Sequence, residues 1–179
     1  MICSTWPLLC RMTERKKFSG GLILFRKHQE TNQIFCLVAH PGGPFFKNKD
    51  DGWWSIPKGE PDQKEDLFQA ALREFEEETG MVPNGPYLEL GSIIQNNGKE
   101  VFAWAFEGDW PDDRLHICNE ISMEYPQGSG KLWTFPEIDR VEFLPIEEAK
   151  KKLRPQQIPF LERLIDRLPL YLKSRASED

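Results

Sequence analysis

The chain of 179 residues lacks any apolar run near the roughly 20 residues of a helical membrane span, so no such span is expected. Cysteine is scarce and scattered: Cys3, Cys10, Cys36 and Cys118 form no C-x-x-C pair. Neither a zinc site nor a disulfide framework fits that spacing, and reduced thiols in a cytoplasmic protein are expected instead. His40 and His116 show no metal-ligand spacing and are read as structural. Positive charge is also in deficit. Twenty-three Lys and Arg against 29 Asp and Glu leave a net charge of −6, which argues against a broad grip on nucleic acid. A local basic pocket for a polyphosphate is compatible with that balance. The opening MICSTWPLLCRM has too short an apolar run for a signal peptide, and Arg11 is its only base. Met12 is read as the true start, and residues 1–16 as a flexible extension.

What remains reads as one compact domain over residues 17–173, with a flexible tail at 174–179. A hydrophobic content of 39% is enough for a sizeable core. Apolar runs at 19–27 and 33–40 predict two strands joined by a turn at 30–32. A Pro- and Gly-rich loop at 41–52 leads to a short strand at 53–56. Strands at 87–95 and 101–107 flank Asn96-Asn97-Gly98-Lys99, a strong hairpin signal. Residues 110–133 read as a long polar loop. A last strand is expected at 141–144, then helices at 147–153 and 156–172, separated by Pro155.

Between these runs a helix is well marked. Asp66 is its predicted N-cap with Gln69 as capping-box partner, and Gly80 its C-terminal stop. Phe68, Leu72 and Phe75 form the expected core stripe, with Ala70 and Ala71 nearer an acidic face. That face carries Glu74, Glu77 and Glu78 at i, i+3 and i+4, within one helical turn. Carboxylates so crowded repel one another unless a cation sits among them. A hard divalent ion with oxygen ligands is the natural cation, and magnesium favours a few carboxylates plus waters and substrate phosphates.

The stretch GEPDQKEDLFQAALREFEEETGM places Gly59, Glu65, Arg73, Glu74, Glu77, Glu78 and Gly80 in a fixed pattern. At about 6% background for each residue, a chance match is on the order of one in 10⁸ windows. The pattern is similar to the Nudix box of hydrolases that cleave nucleoside diphosphates linked to another group. Phe75 and Met81 depart mildly from its usual aliphatic positions. The resemblance implies an α/β fold, the Nudix α/β/α sandwich with a mixed central sheet. It implies Mg2+ as cofactor, with Mn2+ as a possible substitute. Glu74, Glu77 and Glu78 match the metal-binding glutamates, and a main-chain carbonyl near Lys58 and Gly59 is a further expected ligand. Arg73 and Glu65 match positions expected to orient the acidic cluster. Catalysis is expected from Glu74, Glu77 and Glu78 together with a glutamate outside the box. Glu137, in FPEIDR, is the first candidate for that outside group; Glu120 and Glu124 are rivals.

The entry GWWSIPKGE also resembles Nudix enzymes acting on diadenosine or inositol polyphosphates. Lys58 would then meet a distal phosphate, and Arg26 could act similarly. Trp54 is the first choice to stack on a base; alternation along the chain lets only one of Trp53 and Trp54 do so while the other packs inside. HPGGPFF, KDDGWWSIPKGE and FPEIDR together resemble a bacterial group of Nudix hydrolases of nucleoside-triphosphate type. In that loop Gly42 and Gly43 could let backbone approach the substrate closely. The expected activity is hydrolysis of a phosphoanhydride in a dinucleoside polyphosphate or a nucleoside triphosphate. A Nudix-fold module that binds a nucleotide without cutting it is the alternative, and a cap or RNA-end hydrolase is a third. The expected partner is a small nucleotide or polyphosphate, not a membrane or nucleic acid, with the protein a monomer or homodimer.

Overall fold

A computed structural model describes residues 17–111 and 117–175. The expected extension at 1–16, the reading of Met12 as the start, the role given to His116 and the expected tail beyond residue 175 lie outside the described residues.

The apolar run at 22–25 makes β1, Phe18–Lys27, the middle of the sheet. A strand buried on both faces reads this way because neither face needs polar side chains. It turns at Asn32, whose φ of 56° suits Asn, into β2, Ile34–Pro41. Next comes β3, only Lys58–Gly59, and then helix α1, Leu67–Thr79. The strand expected at 53–56 is reduced to two isolated bridges, Ala39 with Ser55 and Trp54 with Leu153. β4, Tyr87–Ile94, and β5, Glu100–Glu107, form the hairpin predicted around Gly98, whose φ is 77°.

The reading of 110–133 as a long loop is corrected. A second hairpin stands there, β6, Glu120–Glu124, against β7, Leu132–Pro136, paired only with itself. The last strand, β8, Ile138–Pro145, begins earlier than expected, and α2, Ile146–Lys152, and α3, Ile158–Arg175, follow. A single 3₁₀ turn, Pro155–Gln157, separates the two helices.

The main sheet runs β4-β5-β1-β2-β8, with β3 added on β1. β1 and β5 are parallel and the other pairs antiparallel, so the sheet is mixed as expected. Alternation along β1 splits the core in two. Leu22 and Leu24 point to a cluster with Ala71 and Phe75 of α1. Ile23 and Phe25 point to the opposite cluster, with Phe160, Leu161 and Leu164 of α3. Each fully buried Leu, Ile or Phe contributes about 1.5–3 kcal/mol. The result is an α/β/α sandwich.

The core stripe of α1 is rotated from the expected one. Ala70, Ala71 and Phe75 are buried, whereas Phe68 and Leu72 are half-buried. Small residues here bring the helix close to β1: a Cβ on Gly20 would lie 2.0 Å from the Leu67 carbonyl oxygen. That close approach seats the acidic end of α1 against β3.

Candidate active site

Both ends of α1 are fixed as its sequence predicts. Asp66 accepts hydrogen bonds from the N–H groups of Phe68 and Gln69, at 2.9 and 2.8 Å. Gly80 closes the helix with φ of 69°, in the left-handed region that glycine enters freely. Between these caps Arg73 uses its whole guanidinium fork. Its Nε and NH2 donate to Glu65 at 3.0 and 2.9 Å, and its NH1 to Glu74 and Glu77 at 2.9 and 3.0 Å. NH2 also donates to the Glu60 carbonyl at 3.0 Å, tying helix to entry loop. Arg73 therefore offsets the repulsion among the box carboxylates and holds Glu65, whose pKa it lowers.

Glu74, besides its bond to Arg73, and Glu78 both turn inward. Gly59 lies so close to Glu74 that a Cβ there would sit 1.8 Å from the carboxyl carbon. Burial raises the Glu74 pKa, with Arg73 opposing. Glu78 is buried, and its Oε2 accepts a 3.2 Å hydrogen bond from the Lys58 N–H. Burial pushes the Glu78 pKa up to about 8; Lys58 pulls it back, while Glu137 and Glu74 add to the rise. Lys58 shows the mirror effect: burial lowers its pKa and Glu78 opposes.

A cavity of about 350 Å³ opens beside these groups, lined by Lys58, Glu78, Glu137 and Arg154 among its polar residues. Glu137 sits between β7 and β8. Its N–H donates to the Asn119 carbonyl at 2.9 Å, and its own carbonyl accepts from Gly42 at 2.8 Å. Its two rivals lie elsewhere. Glu120 is exposed opposite Pro136, and Glu124 accepts from the Gly130 N–H across the hairpin turn. Of the three, Glu137 is the one on the cavity.

Two expected substrate contacts are corrected. Trp54 is fully buried: its indole N–H donates to Asp50 at 2.8 Å and its ring meets His40 edge-on at 5.1 Å. No face is left for a base, and Trp53 is the exposed one of the pair, at 38%. Arg26 lies at the far end of β1 from Gly20 and Gly21, where β3 pairs. It is ion-paired with Asp109 and packed over the rings of Phe35 and Phe143, away from the cavity.

Gly42 and Gly43 do permit a close approach, but to the chain itself. A Cβ on Gly42 would lie 1.9 Å from the Pro136 carbonyl oxygen, and one on Gly43 would lie 2.5 Å from the Phe135 ring. His40 is structural as expected. It is buried, with Nδ1 2.6 Å from Asp139 and Nε2 2.8 Å from the Lys49 carbonyl. Sequence reading missed Arg154 entirely, because a lone Arg beside Pro155 carries no motif. It also missed Met123 and Ile121, whose alternation with Glu120, Ser122 and Glu124 was the available signal.

A model of the NUDIX domain matches residues 17–164. The chain belongs to the Nudix family. It is a Nudix pyrophosphohydrolase, and Nudix hydrolases generally use divalent metal ions. A rat bis(5'-nucleosyl)-tetraphosphatase (asymmetrical) is 31% identical over 111 residues, covering 56% of this chain and 71% of that protein. Two solved structures share the fold. One is a C. elegans Ap4A hydrolase in a binary complex, with a TM-score of 0.58 and 21% identity, over 84% of this chain and 98% of that one. The other is the NUDIX domain of Shewanella oneidensis NrtR with ADP ribose, with a TM-score of 0.59 and 18% identity, over 86% and 88%.

The residues present suit the family's metal. Its donors are all oxygen: Glu74 and Glu78 are carboxylates whose burial favours protonation unless a cation joins them. Among the described residues no three acidic, His or Cys side chains converge on one point, and Arg73 engages Glu74 and Glu77.

Proposed function

We propose that this Nudix hydrolase cleaves a phosphoanhydride bond in a nucleoside polyphosphate, with Mg2+ as cofactor and Mn2+ as substitute. A dinucleoside polyphosphate is the first substrate and a free nucleoside triphosphate the second. One observation carries the reading: Glu78, Glu137 and Lys58 share one cavity at the end of α1. When bound, the ion supplies neutralisation of phosphate charge and a more acidic water. Glu78, Glu74 and Glu77 would hold it, with a main-chain oxygen at Gly59. Glu137 orients the attacking water or takes its proton. Arg73 and Glu65 keep the glutamates in place, and Lys58 meets the phosphate chain as a point charge.

The choice of a two-ended substrate has its own support. A second cleft of about 520 Å³, with Trp53, Gln95, Asn96 and Asn97, shares Phe46 and Arg154 with the first cavity. A long anhydride chain passing Arg154 would enter both. The chain's resemblance to a tetraphosphatase agrees with that length.

The alternative is a Nudix-fold module that binds a nucleotide without cutting it, and the retained Glu74, Glu77 and Glu78 count against it. Purified protein with Mg2+ or Mn2+ is to be incubated with dinucleoside polyphosphates, nucleoside triphosphates, nucleotide sugars and inositol polyphosphates, and the products resolved. Turnover of a dinucleoside polyphosphate above the others is expected. No turnover of any member with either ion would leave the binding module standing.

A further inference from the structure

The β6–β7 hairpin is asymmetric. Its register sets Ile121 opposite Phe135 and Met123 opposite Trp133. Cross-strand partners share a face, and residues two apart share it too. Ile121, Met123, Tyr125, Phe135 and Trp133 therefore lie on one side. The other side carries Glu120, Ser122, Glu124 and Thr134, with Ser122 and Thr134 hydroxyls 2.7 Å apart.

The apolar side faces the catalytic cavity. Ile121, Met123 and Phe135 line it, together with Phe45 of the loop after β2. Outward from there the rings continue, Phe45 to Tyr125 at 5.1 Å and Tyr125 to Trp133 at 5.2 Å, both edge to face. Yet these side chains are not sealed. Ile121, Met123, Tyr125, Trp133 and Phe45 keep 37–44% of their surface exposed. A cavity of this size with an apolar wall and a few polar groups on the opposite side is what a small organic ligand needs.

We propose that this wall receives the nucleobase of the substrate while the anhydride chain lies against Lys58 and Glu78. The proposal rests on the polyphosphate reading above and names which part of the molecule holds the organic end. Continuity decides the occupant: apolar wall and anhydride-binding groups belong to one cavity. A sugar or inositol ring would gain nothing from Phe45, Phe135 and Met123, whereas a base stacks on rings and thioethers. Those side chains carry no N–H or O–H, and the Ser55 hydroxyl nearby is committed to the Ile56 carbonyl at 2.8 Å. On Phe45, Phe135 and Met123 adenine, guanine and cytosine stack alike, because every base presents a π-face.

The test separates the nucleoside from its phosphates. Calorimetric titration with ADP and with inorganic pyrophosphate, in Mg2+, compares ligands that differ by one nucleoside. Wild type should bind ADP more tightly than pyrophosphate, with GDP and CDP within about tenfold of ADP. Met123→Ala and Phe45→Ala should weaken ADP about tenfold and leave pyrophosphate within about twofold, at unchanged Tm. Equal weakening of both ligands, no weakening of ADP, or no preference for ADP in the wild type would each overturn the wall as a base site. These outcomes are independent of the hydrolysis panel. Failure there removes the reaction, and failure here removes only the base site.

Discussion

Helix α1 and the β6–β7 hairpin both border the cavity, but their side chains are held in different ways. On α1, Arg73 alone donates five hydrogen bonds to Glu60, Glu65, Glu74 and Glu77. Glu78 is buried against the backbone of β3, and both helix ends are capped. On the hairpin the cavity-facing side chains are half open to solvent and held by ring contacts. At its base the hairpin is tied to the body by hydrogen bonds of Asn119 with Glu137 and of Cys118 with Ile138. Groups that must meet reacting atoms need fixed geometry, which a packed helix gives. A surface that meets the variable part of a substrate gains from an exposed ribbon, whose local stability is low.

Four substitutions press on that contrast. The largest effect is expected at the helix. Glu78→Gln should lower kcat at least about a hundredfold, since an ion-binding carboxylate supplies several kcal/mol at the transition state. The metal-free variant should melt close to wild type, because burial already favours the neutral form of Glu78 and glutamine keeps an acceptor for the Lys58 N–H. Near-normal turnover in a folded variant would dissolve the distinction between the two regions. Next, Arg73→Met should cost about 2 kcal/mol in denaturant unfolding, because three carboxylates lose their shared cation. Millimolar Mg2+ should recover part of that loss by binding the folded state alone; a loss untouched by the ion would mean that Arg73 serves packing and not the cluster.

A smaller, selective effect belongs to Lys58. Lys58→Met keeps the length of the side chain and removes its charge. The kcat/KM ratio should fall about tenfold more for a dinucleoside tetraphosphate than for a nucleotide sugar. Equal losses would place the ammonium at the core anhydride. Smallest of all is the outer face of the hairpin. Leu132 is 72% exposed and opposite Glu124, so Leu132→Ser should shift stability by less than about 0.5 kcal/mol and leave ADP binding alone. A large effect there would show that the hairpin is not divided into a working face and an idle one.

The helix was legible in the sequence because its signals are local. Asp66, Gly80 and the 3.6-residue spacing of glutamates need no knowledge of what lies across the sheet. Glu137 was placed by resemblance, and the cavity gives it neighbours. The failures share a cause: they depended on partners distant in sequence. Alternation allowed either Trp53 or Trp54 to go inside. What buried Trp54 is a bridge to Leu153 and an Asp50 acceptor, neither of which a motif announces. Arg26 sits on the central strand, but the strand's direction carries it away from β3. The β6–β7 hairpin was hidden by its polar outer residues and by the Pro126–Lys131 tip, whose composition reads as loop.

Gly42 illustrates what the glycines of the site mean for variation over time. Its missing Cβ lets the loop after β2 rest on Pro136, and its N–H holds the Glu137 carbonyl. Phe45 and Phe46, three and four residues later, are free of that contact and reach the cavity. Anchor and tip are thus separable: a lineage can trade the aromatic tip for new substrates while the carboxylate behind the anchor stays put. A saturation library should record this division, with many active sequences at 45 and 46 and almost none at 42.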